Sequence, residues 1–433
     1  MAIAPPSRST VVSPQSSTSY AGPLAVVTTL FFMWGFLTCL NDILVPHLKS
    51  IFDLTYAQVM LIQFAFFGAY FLFSIPSAKI IDWIGYQRSM VVGLLTMGAG
   101  AFLFVPAASV PSYPLFLFAL IVLAAGITCL QVAANPYVTI LGNPQTASSR
   151  LNLTQAFNSL GTFLAPFFGG FLILSSAPKA IGDIRAMAPD VLQAYRIHEA
   201  ATVKTPYVGL GIALVILAAA IGSFKLPKIP QAQHKVGEKV NDSVWRHPNL
   251  VFGAIAIFVY VGAEVAIGSF LVNYFTQPEI GGFTEKVAAS FVAFYWGGAM
   301  VGRFIGSGLL QKMKAGHLLG ICSVCAAALV SISMLSTGHF AMWSIILVGF
   351  FNSIMFPSIF ALGVAELGPL TGDGSGILIM AIVGGALIPL AQGAIADRIG
   401  IHHAFFLPVI CYLYILFFAL SGSKPNSERH AHS

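Results

Sequence analysis

Charge is what this 433-residue sequence has least of: Asp, Glu, Lys and Arg make up 8% of it, against roughly a quarter in an ordinary soluble domain. With 57% of the residues hydrophobic, so few charges cannot cover a water-facing surface. Cysteine is scarce as well. Cys39, Cys129, Cys322, Cys325 and Cys411 all fall inside apolar runs, so neither a disulfide framework nor a thiolate metal site has a natural home, and the Cys322/Cys325 spacing is fortuitous. A zinc-protease HExxH pattern, a nucleophile elbow and a phosphate loop are also missing, which argues against an enzyme and against a bound cofactor. The net charge of +6 is scattered between hydrophobic runs and builds no basic stripe, so no nucleic-acid partner is expected.

What the sequence does have is long apolar runs, at residues 22–48, 57–80, 89–107, 112–141, 151–176 and 206–224, then 250–275, 289–310, 318–336, 341–366, 375–395 and 404–422. Each is long enough to cross the hydrocarbon of a lipid bilayer as a helix of about 20 residues, and an open sheet could not satisfy its backbone there. The expectation is an all-α membrane protein with twelve transmembrane helices in two six-helix halves. Residues 1–20, rich in Ser, Thr and Pro, read as a disordered cytoplasmic tail. Residues 21–224 are the first half, 225–249 a polar, basic cytoplasmic linker, 250–422 the second half and 423–433 a second cytoplasmic tail. Lys and Arg concentrate on the side of the termini, which places both termini in the cytoplasm. The opposing loop at 177–205, with Lys179, Arg185, Arg196 and Lys204, is the main exception. The halves also repeat: Pro136, Gly161, Pro166 and Gly170 have counterparts in Pro357, Gly384, Pro389 and Gly393, at offsets of 221 and then 223. Parallel repeats of this kind are a transporter architecture.

Polar residues inside the runs are the candidates for function, because they are costly in hydrocarbon. Asp42, beside Asn41, interrupts the first run in its outer half, and Glu264 sits near the middle of the seventh, one turn after Tyr260. Either acid is a candidate for cation coupling, and a buried, satisfied carboxyl is the alternative at Glu264. Asn273 would share the face of Glu264 only if the helix broke near Gly268. Gln131 and Asn135 are four apart on one helical face, and Gln155 and Asn158 are three apart on another. Pro136 leaves the carbonyl of Val132 without its helical partner, and Pro357 does the same for Ser353, next to Asn352. Amides and unpartnered carbonyls suit sugar hydroxyls, which both donate and accept; the alternative role of the amide pairs is hydrogen bonding between helices. Tyr295 and Trp296 are candidates for stacking on a sugar ring. The loop AKIIDWIGYQR brings together Asp82, Gly85 and Arg88, an acid, a glycine turn and a base that could latch neighbouring helices. No histidine lies deep in a run, and His47 comes nearest.

The runs FFMWGFLTCLNDILVPHLK, LIQFAFFGAYF, CLQVAANPYVTILG, RLNLTQAFNSLGTFLAPFFGG and YVGAEVAIGSFLVNYF resemble the fucose/galactose/glucose symporter family of the major facilitator superfamily. The Asp82, Gly85 and Arg88 loop is similar to the cytoplasmic signature of that superfamily, with Ala78 where the signature usually has Gly. The resemblance covers most of the membrane region and implies a twelve-helix carrier whose central cavity binds a hexose by alternating access. In the L-fucose permeases of the family, carboxylates in the first and fourth helices serve coupling and sugar binding. The first matches Asp42; the second position holds Gln131, which cannot titrate, so the sequence looks closer to the glucose/galactose branch.

Taken together these observations lead to the expectation of a cation-coupled importer of glucose or galactose, monomeric, in a bacterial inner membrane, with a proton or sodium ion as its co-transported partner. Gln63, Gln131, Asn135, Gln155, Asn158 and Asn352 are the expected sugar contacts. Asp42 and Glu264 are the expected cation sensors, and Asp82, Gly85 and Arg88 the expected gate. A carrier for L-fucose or N-acetylglucosamine is the alternative within the family. A drug or metabolite exporter is the alternative outside it, disfavoured because paired amides suit a sugar better than a lipophilic cation.

Overall fold

Peptide groups in hydrocarbon find no water to bond, so each apolar run must close its hydrogen bonds within itself. The computed structural model describes residues 20–52, 56–110, 112–172, 187–202, 204–227 and 242–425, with the side chains of residues 37, 38, 40–60, 166–172, 196 and 199–203 outside that description. Each of the twelve apolar runs is mostly helical over its described length, some as two successive helices, and no strand occurs among the described residues. The first half contains α1 (Ala21–Phe52), α2 (Tyr56–Ser109), α3 (Tyr113–Ile140), α4 (Ala147–Leu172), α5 (Pro189–Thr202) and α6 (Lys204–Ser223). The second contains α7 (Pro248–Phe275), α8 (Glu285–Leu309), α9 (Ala315–Leu335), α10 (Gly338–Asn352), α11 (Met355–Gly363), α12 (Thr371–Met380), α13 (Gly384–Ile399), α14 (Ile401–Ala404) and α15 (Phe406–Phe417).

Several spans are compound. Gly85, at φ 80° and ψ 167°, divides α2 into the second and third spans in a conformation that a Cβ would disfavour. The tenth span is α10 followed by α11, the eleventh α12 followed by α13, and the twelfth α14 followed by α15. The loop expected over 177–205 is in part a helix: α5 opens with Pro189, carries Asp190 in its first turn and meets no further Pro or Gly before its end. Those are favourable conditions for a helix N-terminus, and the polar side chains along α5 keep it from being a span. The expected tail at residues 1–19, residues 228–241 of the expected linker and the tail beyond residue 425 lie outside the described residues.

Within the first half α1 packs on α4, and α2 on α3 and α6; within the second α7 packs on α13, α8 on α10, and α9 on α10 and α15. The sequence repeat reappears as a repeated contact. A Cβ on Gly161 would run into the carbonyl oxygen of Phe32 on α1, and a Cβ on Gly384 into the carbonyl oxygen of Phe258 on α7. Small residues let helix backbones touch in a membrane, where van der Waals packing replaces the hydrophobic effect as the attraction between helices. The turns nearest the linker are pinned by polar side chains. Gln87 Nε2 donates to the carbonyls of Ile221 (2.8 Å) and Phe224 (2.6 Å), and Tyr137 Oη to that of Pro227 (3.1 Å). At the end of α3 the Arg150 guanidinium bonds the carbonyls of Val138, Thr139 and Asn143. At the end of α11 the amide of Asn249 lies 3.0–3.2 Å from those of Leu362, Gly363 and Ala365. Each serves carbonyls that a helix C-terminus leaves without partners.

Valine at position 161 or 384 is expected to force the paired backbones apart at an overpacking cost of about 1–3 kcal/mol. Thermal unfolding in detergent should show a lowered midpoint and folded yield for Gly161→Val and Gly384→Val. Gly209→Val, where a Cβ meets nothing within 4 Å, should match the parent.

Candidate functional site

The fifth span brings the polar cluster together because Gln155, Asn158, Ser159 and Thr162 follow helical spacing along α4. Asn158, Ser159, Thr162 and Phe163 line a cavity of about 550 Å³, closed on other sides by Cys39 of α1 and by Ala293, Trp296, Gly297, Ala299 and Arg303 of α8. Asn158 Nδ2 donates to the carbonyl of Phe31 at 2.9 Å, and Thr162 Oγ1 lies 3.2 Å from the carbonyls of Gly35 and Asn158. Ser159 Oγ donates to the Gln155 carbonyl at 3.1 Å and accepts from the Arg303 guanidinium. Arg303 also donates from Nε to the Ser353 carbonyl at 3.3 Å, and its own carbonyl accepts from Asn152 Nδ2 at 2.7 Å. The cavity therefore has a floor at Ser159 and Arg303, where α4 and α8 join the two halves.

The other expected sugar contacts sit elsewhere. Gln63 is exposed near the start of α2. Gln131 is 2% exposed, its Nε2 2.6 Å from Tyr70 Oη, and Asn352 is fully buried with Nδ2 2.9 Å from Tyr295 Oη. Asn135 and Gln155 are buried too; both amide atoms of Asn135, the Gln131 oxygen and the Gln155 nitrogen have no bond among the described residues. Of the six, Asn158 stands on the wall of the described cavity. Both proline-released carbonyls are engaged by protein donors: Val132 O accepts from Ser375 Oγ at 2.8 Å, across the halves, and Ser353 O accepts from Arg303. Tyr295 and Trp296 part company, since neighbouring residues leave a helix in different directions. Trp296 is on the cavity wall, while Tyr295 is fully buried beneath it as the partner of Asn352.

Of the two acids, Asp42 lies on α1 with its side chain outside the described residues. Glu264 is half-buried at mid-length of α7. Tyr260 Oη lies 2.8 Å from Glu264 Oε1 and 3.1 Å from the Asn352 carbonyl, so one phenolic proton serves two acceptors. A protonated Glu264 could donate to that oxygen instead, leaving the phenol to the carbonyl alone. Helix α7 runs unbroken past Gly268, and Asn273 is exposed beyond it rather than on the face of Glu264. Among the described residues no group of three His, Cys, Asp or Glu is placed to hold a metal ion.

The gate residues also divide. Gly85 makes the turn. Asp82, its side chain 7% exposed, lies 3.6 Å from Lys79 Nζ, and Lys79 reaches across the halves to Asp373 Oδ1 at 2.7 Å. Arg88 is exposed, so the base in this cluster is Lys79. Further toward the linker end, Ser149 Oγ donates to the Ser307 carbonyl at 2.8 Å. These ties, with those at Ser375 and Arg303, hold the halves together on the linker side. Sequence reasoning passed over Lys79, Asp373, Ser159, Thr162 and Arg303. The signal for Ser159 and Thr162 was their place one turn beyond Gln155 and Asn158; the signal for Arg303 was a full charge six residues inside the end of a span.

A compound helical bundle split into two halves, with a cavity between them that carries one polar wall and with a latch at one end, has the form of a membrane carrier. The Major Facilitator Superfamily model matches residues 25–382, and the chain belongs to that superfamily: it is a transporter and not an enzyme. It is 53% identical over 409 residues to a glucose/galactose transporter of Brucella abortus, covering 94% of this chain and 96% of the relative. It is 36% identical over 420 residues to the L-fucose-proton symporter of Escherichia coli, covering 94% of each. A solved Major Facilitator Superfamily transporter, FucP in the outward conformation, superposes with a TM-score of 0.87 at 34% identity, covering 94% of this chain and 99% of that one.

Ser307, 6% exposed beside the Ser149 tie, is a site for a cysteine that reports opening of the linker end. In a Ser307→Cys background, Lys79→Gln or Asp373→Asn should speed alkylation of that thiol, read by peptide mass spectrometry, by up to about fivefold, because a partly exposed ion pair is worth under about 1 kcal/mol. The exchanged pair Lys79→Asp with Asp373→Lys should bring the rate back.

Proposed function

We propose that this protein is a cation-coupled symporter that imports glucose or galactose by alternating access across a bacterial inner membrane. In this reading both termini are cytoplasmic, residues 225–249 join the two six-helix halves, and the protein works as a monomer. The observation that carries the proposal is the polar wall of Asn158, Ser159 and Thr162 facing Trp296 across a cavity of about 550 Å³ between the halves. That volume lies within the range of roughly 300–1,000 Å³ typical of small-molecule sites, and the wall pairs hydroxyl-binding groups with an aromatic face. The names of the relatives point the same way, as sugar carriers and, for L-fucose, a proton symporter. With termini in the cytoplasm, the ties at Lys79, Ser149, Arg303 and Ser375 close the cytoplasmic side, so the described state opens outward.

Coupling falls to the carboxyls. A ligand moves a conformational equilibrium only as far as its affinity differs between the two states, so the cation needs a site whose surroundings change as the halves move. Glu264 is such a site: its partner Tyr260 also bonds the carbonyl of Asn352, at the break between α10 and α11. Neutralising the carboxyl would redistribute that phenolic proton and so act on the break. Asp42 is the second carboxyl of the pathway in this reading.

Labelled glucose and galactose should accumulate in membrane vesicles containing the protein when a proton gradient or a sodium gradient is imposed alone, and the gradient that works identifies the cation. Expulsion of a lipophilic dye without uptake of any hexose would overturn the proposal. Asn158→Ala should raise KM about 5- to 150-fold at unchanged membrane insertion, the effect of leaving a sugar hydroxyl without a bond worth about 1–3 kcal/mol. Glu264→Gln keeps the acceptor for Tyr260 while fixing the group as neutral. It should preserve exchange of sugar at equal concentrations and abolish accumulation, and accumulation at the parent level would take Glu264 out of coupling.

A further inference from the structure

Arg303 is a full positive charge inside a span, a costly placement that calls for a role. Its bonds point to one. The guanidinium crosses from α8 to Ser159 Oγ on α4, and turns back to the Ser353 carbonyl at the break in the tenth span. It also lines the same cavity as Asn158, Ser159 and Thr162. Adjacent to that carbonyl, the carbonyl of Asn352 receives the Tyr260 hydroxyl, which in turn meets Glu264. One side chain thus touches the cavity, the opposite half and the break that the coupling acid also reaches.

Resting on the hexose reading above, we propose that Arg303 is a substrate-operated latch: a sugar hydroxyl in the cavity replaces Ser159 Oγ as the acceptor of its N–H, and the side-chain tie between the halves at the cavity floor is lost. Ser159 is the natural point of exchange because its hydroxyl donates to the Gln155 carbonyl and accepts from Arg303 through a neutral oxygen that a sugar hydroxyl can match. A sugar hydroxyl offers the guanidinium an equivalent oxygen, and Ser159 keeps its own bond to the Gln155 carbonyl when Arg303 leaves it. The positive charge then stays bonded at both stages, so the exchange leaves no buried cation bare. Opening of the linker side is thereby favoured when the cavity is filled with a ligand bearing hydroxyls at that depth. An apolar ligand of the same size cannot accept the bond and leaves the latch closed.

The test uses the Ser307→Cys reporter in the full-length protein in proteoliposomes, with and without galactose or glucose. Without sugar, Ser159→Ala, which removes the acceptor and little else, should speed alkylation of the reporter about threefold, and Arg303→Gln should do the same. Arg303→Lys keeps the charge and serves if the glutamine variant does not fold. With sugar, the parent should speed by a similar factor, Arg303→Gln should show no further response, and its KM for sugar exchange should rise about tenfold. The proposal is overturned if Ser159→Ala and the Arg303 variants leave the sugar-free rate unchanged, or if sugar accelerates alkylation in Arg303→Gln as much as in the parent. Faster alkylation in Ser159→Ala, with no response of the parent to either hexose, supports the latch while overturning the hexose assignment.

Discussion

A carbonyl set free inside a membrane must find a donor, and two such carbonyls organise the centre of this protein. Pro136 and Pro357 each remove a helical N–H, at matching places in the two halves, and thereby release Val132 O and Ser353 O. Lipid offers nothing in return. The donors that arrive are Ser375, from the opposite half, and Arg303, which itself reaches over to the opposite half. The residues that mend the helices are therefore also residues that join the two halves. At Ser375 mending and joining are one bond, and at Arg303 they are two bonds of one side chain, so separating the halves there disturbs the groups that serve the backbone.

The helices were legible in the sequence because their signal is physical and local: a run of about 20 apolar residues has few other fates. The turn at Gly85 was legible for the same kind of reason, as a glycine between an acid and a base where two runs meet. The cavity was legible only in part. Spacing along one helix identified Asn158, but it could not tell whether Gln131 or Asn352 faces the pathway or a neighbouring helix, since that depends on packing between distant segments. Tyr70 and Tyr295, the partners that take those amides inward, are separated from them by 61 and 57 residues. Lys79 and Asp373 were hidden by a greater separation still, 294 residues. Arg303 went unmarked because a basic side chain that close to the end of a span is long enough to reach the interface. The structure directs it inward instead, because Ser159 and Ser353 O are there to receive it.

The two kinds of contact differ in what they tolerate. Within each half, glycines bring backbone against backbone, as at Gly161 on Phe32 and Gly384 on Phe258, and such a surface has no room for an alternative fit. Between the halves helices also pack closely, as at Gly376 beside Ser74 and Ala78, and the polar joints there include side-chain hydrogen bonds, each worth about 0.6–2 kcal/mol in a membrane protein. A few joints of that size sum to what one bound ligand can supply.

The turn at Gly85 has a mechanical meaning. Because α2 passes from its second to its third span at one residue, with no loop between them, the turn contains no slack. Gln87, two residues on, is fastened to the end of α6, and Lys79, six residues back, is fastened to Asp373. With Gln87 so fastened, a movement of the second span is passed through the turn to the third and to the end of α6.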